Sequence, residues 1–334
     1  MKRLFLKTAV AALALASLGM ANAQEVRERT FKLALQNPKG HPLATGADKF
    51  AELVGTRSGG KLKVNVFPGG ALGGDAANVS ALQGGTLEIV ILNSGILASQ
   101  VKDFVVYDFP FMFANAKEVD AVVNGPFGHK LHAKLQDKGI MGLAYWELGF
   151  RQITNAKRAI NKVEDLAGLK LRVIPNPINI DWVKALGANP TPLAFPELYA
   201  ALEQKAVDGQ ENPASVILAN KFAEVQKYLT LTNHQYNPQS MIFSKKIWDG
   251  LNDAERKIIA DAATEAAQFE RQLARSSAQG DVDALRKAGM EVGELPAAEM
   301  AKFRDRMKPV IDKHGAAIAD TVKELQAELD KLRK

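Results

Sequence analysis

Two short apolar alternations flank a helical stripe near the start of the chain, and this pattern constrains the fold more than any other feature. Phe31, Leu33 and Leu35 recur at every second position, the period of a half-buried strand. Ala47, Phe50, Ala51 and Val54 then follow helical spacing, and Leu62, Val64 and Val66 alternate again before Pro68. Strand, helix and strand in that order form a βαβ unit, which needs a parallel sheet covered by helices. Further strands are expected near residues 87–92, 141–146, 169–174 and 241–243, with helices between them, giving an open α/β sheet. Such sheets bind ligands in the crevice at the carboxyl ends of their strands. Gln36, Asn93, Glu147, Arg172 and Asn176 all fall at or just beyond those ends.

The last third changes character. Asn252 with Glu255 three positions later has the form of a capping box, predicting a helix through about residue 278, and Pro296 suits the first turn of another that runs toward Lys313. Alanine-rich, charge-laced helices continue to the end, with a break at Gly315. These read as packing helices, not as a coiled coil.

The N-terminus bears on compartment. Lys2, Arg3 and Lys7 precede and enter an apolar run from Thr8 to Leu18, and Ala21-Asn22-Ala23 offers small residues before Gln24. This is the layout of a cleavable export signal over residues 1–23, and the run is shorter than the roughly 20 residues that span a bilayer. Stable membrane insertion is therefore not expected. The 334-residue chain has no cysteine, which fits an exported protein that relies on its core. Without residues 1–23, 40 basic residues face 37 acidic ones, so the formal charge falls from +6 to +3. The basic residues are scattered, which argues against nucleic acid as a partner. About 310 remaining residues suggest two lobes.

Metal and phosphate sites find no support. His41, His129, His132, His234 and His314 are dispersed, and the pair His129 and His132 reads as one face of a surface helix without partner ligands. Gly69-Gly70 and Gly73-Gly74 read as turns around Pro68 and Leu72, not as a phosphate loop. No cofactor is called for.

Anion chemistry does find support. Arg172 sits in Leu169-Lys170-Leu171-Arg172-Val173, where apolar and basic residues alternate as on a half-buried strand, and Arg151 sits in Gly149-Phe150-Arg151-Gln152. A guanidinium can make two parallel charge-assisted bonds to one carboxylate and keeps its charge in a closed cleft. The two arginines are expected to form an anion clamp.

These segments resemble the solute-binding component of tripartite ATP-independent periplasmic (TRAP) transporters. The resemblance runs through Gly149 to Asn155, Leu169 to Val173, Leu186 to Pro192, Glu197-Leu198-Tyr199, Val207 to Pro213 and Val225 to Tyr228, in order, and extends over most of residues 30–250. It implies a two-lobed α/β periplasmic-binding-protein fold with long C-terminal helices bracing both lobes. Lobe I would be residues 24–149 with 237–275, and lobe II residues 150–236 with 276–334. It also implies a periplasmic, monomeric carrier that closes about a hinge and hands its solute to membrane subunits.

Carried over residue by residue, Arg172 matches the arginine that pairs with the substrate carboxylate, Arg151 the second arginine of the site, and Asn212 the pocket asparagine. Gln36 falls where sialic-acid-binding relatives have an asparagine, Asp75 matches a pocket acid, and Asn93 replaces a pocket glutamate, which argues against sialic acid itself. His41, Glu147, Asn176, Phe195 and Asn237 lie in the matching loops. This inventory of neutral polar groups with at least one acid suits hydroxyls, so the expected ligand is a sugar acid of the uronate or aldonate type. A C4-dicarboxylate, keto acid or hydroxy acid is the alternative within the family. Two other roles stay open: presentation of the ligand to a sensor kinase, and a periplasmic enzyme using Glu147 or His41 as a base, for which the chain offers no second catalytic partner.

Overall fold

The computed structural model describes residues 25–333, so the expected export signal lies outside the described residues. Among the described residues, eleven strands build two sheets. The first has the order β2-β1-β3-β10-β4, from Leu62–Phe67 (β2), Arg29–Leu35 (β1), Ile89–Asn93 (β3), Tyr236–Ser244 (β10) and Ile140–Phe150 (β4). β1 is parallel to β2 and β3, as the βαβ pattern requires, and β10 runs antiparallel between β3 and β4. The second sheet has the order β11-β9-β5-β8-β6-β7, from Glu291–Glu294, Tyr228–Leu231, Gln152–Asn155, Gly209–Asn212, Lys170–Val173 and Asn189–Pro192 respectively.

Three segments pass from one sheet to the other. β4 runs into β5 through Arg151, β9 returns into β10 through residues 232–235, and a 35-residue helix, Asp253–Lys287, leads from β10 toward β11. The first two are tied together where they cross, because the Arg151 amide donates to the Gln235 carbonyl at 2.8 Å.

The helix Pro42–Arg57 begins where His41 Nδ1 accepts the Leu43 amide at 3.1 Å, with Pro42 in the first turn. The long helix opens with the expected capping box: Asn252 Oδ1 accepts the Glu255 amide at 2.9 Å, and Glu255 Oε2 accepts the Asn252 amide at 3.0 Å. It runs past residue 278 because Gly280 costs only about 1 kcal/mol in a helix interior, while Leu285 beyond it is fully buried. The stop is Gly289, whose φ of +97° places it in the left-handed region that ends helices. Ile259, Ala262, Ala263, Ala266 and Ala267 form the buried stripe of this helix. Small side chains there permit close approach to β4 and to helix Pro42–Arg57.

Two expectations need correction. β5, β7, β8, β9 and β11 were not anticipated: each is four residues long, and sequences such as Gln152-Ile153-Thr154-Asn155 and Gly209-Gln210-Glu211-Asn212 carry no apolar alternation. They are strands because neighbours in the sheet take up their backbone groups. His132 is not on a surface helix face. It is buried, stacked on Tyr145 with ring centroids 3.8 Å apart, and its Nε2 lies 3.1 Å from Ser240 Oγ. Burial pulls its pKa down to about 3, so it is neutral.

Gly46, on the helix Pro42–Arg57, lies close against the long helix and β4. A β-carbon there would lie 2.6 Å from the Trp146 ring and 2.8 Å from Glu270 Cβ. Gly46→Ala is therefore expected to lower unfolding stability by about 1–2 kcal/mol, the overpacking cost outweighing the gain in helix propensity. Gly280→Ala has the same propensity gain and no atom within 4 Å, and should stabilise. Urea titration decides: a Gly46→Ala midpoint at or above that of Gly280→Ala contradicts the packing argument.

Candidate functional site

The carboxyl ends of β1 and β3 with the start of β10, from the first sheet, and β6 and β8, from the second, line a cavity of about 420 Å³. Gln36, Asp75, Asn93, Arg151, Arg172, Phe195, Asn212 and Asn237 all contribute to its wall, brought together from both sheets. Leu148, Ile174 and Val216 supply apolar wall.

The two arginines differ. Arg172 is 2% exposed, and its Nε and Nη2 both donate to the Leu193 carbonyl, at 2.9 and 2.7 Å. That uses two of the five N–H groups of a guanidinium. Among the described residues it has no carboxylate within ion-pair distance, and Phe195 lies with its ring centroid 5.8 Å from Cζ. Burial lowers its pKa to about 10, which leaves it charged at neutral pH. Arg151, 1% exposed, is instead held by Glu211: Nε donates to Oε2, and Nη2 donates to Oε1 at 2.9 Å. Its Nη1 reaches Asn237 Oδ1 at 3.4 Å. His234 Nε2 completes the cluster 3.2 Å from Glu211 Oε2, while Thr232 Oγ1 lies 2.8 Å from Nδ1. Burial alone would raise the Glu211 pKa, but Arg151 and the His234 hydrogen bond overcome it and hold the carboxyl at about 2. Burial keeps His234 below its ordinary value.

Around Arg172, Gln36, Asn93 and Asn237 are each fixed by a partner at one end of the amide and keep a buried, unpartnered atom at the other, and Asp75 keeps a buried, unpartnered oxygen. Gln36 Nε2 donates to the Gly73 carbonyl at 3.0 Å, which leaves Oε1 as an acceptor without a partner. Asp75 opens the helix Asp75–Gly84, and its Oδ1 is shut from water with no partner. Burial pushes its pKa up to about 6 against the pull of Gln36 and Arg172. Asn93 Oδ1 accepts the Gly95 amide at 2.8 Å, so Nδ2 is the open end. Asn237 Oδ1 accepts from Gln239 Nε2 at 2.9 Å, and again Nδ2 is open. These bonds assign each amide's orientation. Asn212 Nδ2 donates to Gln210 Oε1 at 2.5 Å.

Three candidates lie outside the cavity wall. His41 caps its helix and places Nε2 3.3 Å from Ser215 Oγ; burial lowers its pKa to about 3. Glu147 accepts from Arg275 Nε at 2.7 Å. Asn176 Nδ2 donates to Asp108 Oδ2 at 2.7 Å and to the Gly95 carbonyl at 3.1 Å. Asn176 lies just beyond β6 as the sequence suggests, but Glu147 falls inside β4, which runs on to Phe150, and His41 caps a helix; in each case a neighbour distant in the chain has taken polar atoms of the side chain. Sequence reasoning missed Gln239 and Asn37 in the wall, and Glu211 behind it. Only the position of Glu211 beside Asn212 hinted at it. Asp108 was also missed: it is fully buried and accepts from Asn176, from Asn179 at 3.1 Å and from Gln235 at 3.0 Å. No group of three or more metal-ligating side chains occurs among the described residues, and no described helix is long and apolar enough to cross a membrane.

The family model described as bacterial extracellular solute-binding protein, family 7 (DctP) matches residues 33–317. The chain belongs to this family. Among solved structures, a TRAP periplasmic solute-binding protein from Ochrobactrum anthropi, with its C-terminus bound in the ligand-binding pocket, is 52% identical and superposes with a TM-score of 0.82 over 92% of this chain and 97% of that one. The sugar acid binding protein DctPAm from Advenella mimigardefordensis, in complex with galactonate, is 39% identical with a TM-score of 0.90 over 92% and 99%. The C4-dicarboxylate-binding periplasmic protein DctP of Rhodobacter capsulatus is 35% identical, with 88% of each chain covered. The family 7 fold is two-lobed, with long C-terminal helices, and its members serve TRAP transport systems as periplasmic binding proteins for acids.

The ion pair behind the cavity yields a pH test. The Glu211 pKa of about 2 lies below the unfolded value of about 4.3, so its stabilisation is present above that value and lost as pH falls toward 2. Glu211→Gln leaves Arg151 buried without its partner, which costs about 3–5 kcal/mol near neutral pH. Urea titrations of this family 7 protein and the variant should show that gap at pH 7 and one smaller by about 1.5–2 kcal/mol near pH 3; a pH-independent gap refutes the assignment.

Proposed function

We propose that this chain captures a sugar acid of the aldonate or uronate type in the periplasm, as a monomer, and delivers it to the membrane subunits of a TRAP transporter. Arg172 takes the carboxylate with the N–H groups that Leu193 leaves free. Arg151, its charge compensated by Glu211, presents a shaped wall and not a second anion site. The clamp is thus one charged arginine with a neutralised neighbour.

One observation carries the choice of ligand. Gln36 Oε1 and Asp75 Oδ1 are buried acceptors without partners in the same cavity as Arg172. A ligand must bring protons to them, since an unpartnered buried acceptor costs about 1–3 kcal/mol. Hydroxyls do so, and a dicarboxylate ionised at neutral pH does not. The open Nδ2 groups of Asn93 and Asn237 suit hydroxyl oxygens equally well. The galactonate complex of the Advenella protein supports the same reading. The second reading is a C4-dicarboxylate, favoured by the Rhodobacter relative and by those two donors, which could accommodate a second carboxylate.

Lobe I would comprise residues 24–149 with 237–275, and lobe II 150–236 with 276–334, closing on the ligand by a hinge at the crossing segments. Scattering with and without saturating ligand should then give a smaller radius for the complex.

Competition calorimetry separates the two ligand classes. D-Galactonate or D-glucuronate should bind at least about tenfold more tightly than succinate, and Asp75→Ala should erode that preference. Displacement of the sugar acid by an equal concentration of succinate sinks the hydroxyl argument and leaves the carboxylate argument standing. Arg172→Ala should cost about 2–5 kcal/mol of binding with any acid, and Arg172→Lys should recover little because the two-pronged geometry is gone. Wild-type affinity in Arg172→Ala removes the clamp altogether.

A further inference from the structure

The loop after β2 and the turn after β7 meet beside the cavity, to whose wall they contribute Gly74, Ala194 and Phe195. The loop is pinned to the end of β1: the Gly69 amide donates to the Asn37 carbonyl at 2.9 Å, the Gly70 amide to the Leu35 carbonyl at 3.0 Å, and Gln36 Nε2 to the Gly73 carbonyl at 3.0 Å. Opposite it, Leu193 holds Arg172 through its carbonyl, and its amide donates to the Val173 carbonyl at 3.3 Å. The next residues, Ala194 to Pro196, reach the loop. A β-carbon on Gly70 would lie 2.8 Å from Pro196 Cγ and 3.0 Å from Gln36 Oε1. One on Gly74 would lie 3.4 Å from Ala194 Cβ. The two sides fit only because Gly70 has no side chain.

We propose that Gly70 and the Ala194–Pro196 turn form a closing lip, a specificity-independent latch that retains the bound acid by letting the two halves of the cavity make contact. On one side the lip continues into Gln36 and Asp75, and on the other through Leu193 into Arg172. An acid that engages both Arg172 and Gln36 draws the turn onto the loop, and the contact in turn covers the cavity mouth. Departure of the ligand requires the lip to part, so the latch acts on dissociation. The inference rests on the reading of this cavity as an acid-binding cleft.

Gly69 provides the control. Gly69 and Gly70 both have φ of +70°, so alanine brings the same backbone strain to either, but a β-carbon on Gly69 meets nothing nearer than 3.9 Å. Because the chain has no cysteine, Lys63→Cys and Gln204→Cys can carry spin labels on the two sides for pulsed distance measurements. Five backgrounds are compared: the parent, Gly69→Ala, Gly70→Ala, Pro196→Ala, and Gly70→Ala with Pro196→Ala. With D-galactonate as the probe, Gly70→Ala is expected to bind about tenfold more weakly than Gly69→Ala, through faster dissociation, and to show a longer interlabel distance. Pro196→Ala removes the clashing Cγ and should restore both in the double variant. Equal distances in Gly70→Ala and Gly69→Ala, or a defect that survives in the double variant, overturns the latch. If the parent binds no galactonate, the sugar-acid reading fails, while the distances of the ligand-free variants still decide the lip.

Discussion

The buried pair of Arg151 and Glu211 sits where two of the three crossing segments meet, and the organisation of the molecule depends on it. Arg151 is the residue between β4 and β5, Glu211 lies in β8, and His234 lies in the return from β9 to β10. Removing three polar groups from water is costly, and the attraction in the interior offsets that cost only when the remaining lone pairs and protons are also satisfied. Here Thr232, Asn237 and the Glu211 carbonyl supply those bonds. The pair therefore fixes the relative placement of the strands that carry Asn212 and Asn237. It also neutralises Arg151, and this leaves Arg172 with its charge uncompensated by an ion pair in the cavity wall.

That asymmetry shapes the chemistry of the cavity. A guanidinium without an ion-pair partner, ringed by amides whose other ends are already bonded, presents a fixed pattern of donors and acceptors. Preorganisation of this kind lowers the ordering cost of binding. Asp108 contributes on the far side, where its carboxylate gathers the amides of Asn176, Asn179 and Gln235 and so joins β10's approach to the helix Pro177–Ala185. Gly95 has to be glycine there, because a β-carbon would lie 2.1 Å from Asp108 Oδ2.

Much of the architecture was legible along the chain. The β1-helix-β2 unit, the capping box at Asn252 and Glu255, and the break near Gly315 are local signals, written in alternation, capping chemistry and glycine. The four-residue strands were not, because Gln152-Ile153-Thr154-Asn155 and Gly209-Gln210-Glu211-Asn212 are extended only by virtue of their neighbours in the sheet. His132 illustrates the same limit: its helical spacing was readable, but not Tyr145 and Ser240, which enclose it from other elements.

In the site, periodicity along the chain places Gln36, Asn93, Arg172 and Asn176 at or just beyond strand ends, whereas Glu147 falls inside β4, which runs on to Phe150. Which of their polar atoms stay without a partner was settled by segments far away in the chain. Glu147 was claimed by Arg275 and Asn176 by Asp108, whereas Gln36 and Asn93 each kept one atom free. The same holds for the two arginines, which look equivalent as letters and differ because Glu211, 60 positions from Arg151, pairs with one of them. Periodicity is a property of neighbours in the chain, but the satisfaction of a buried charge is a property of neighbours in space.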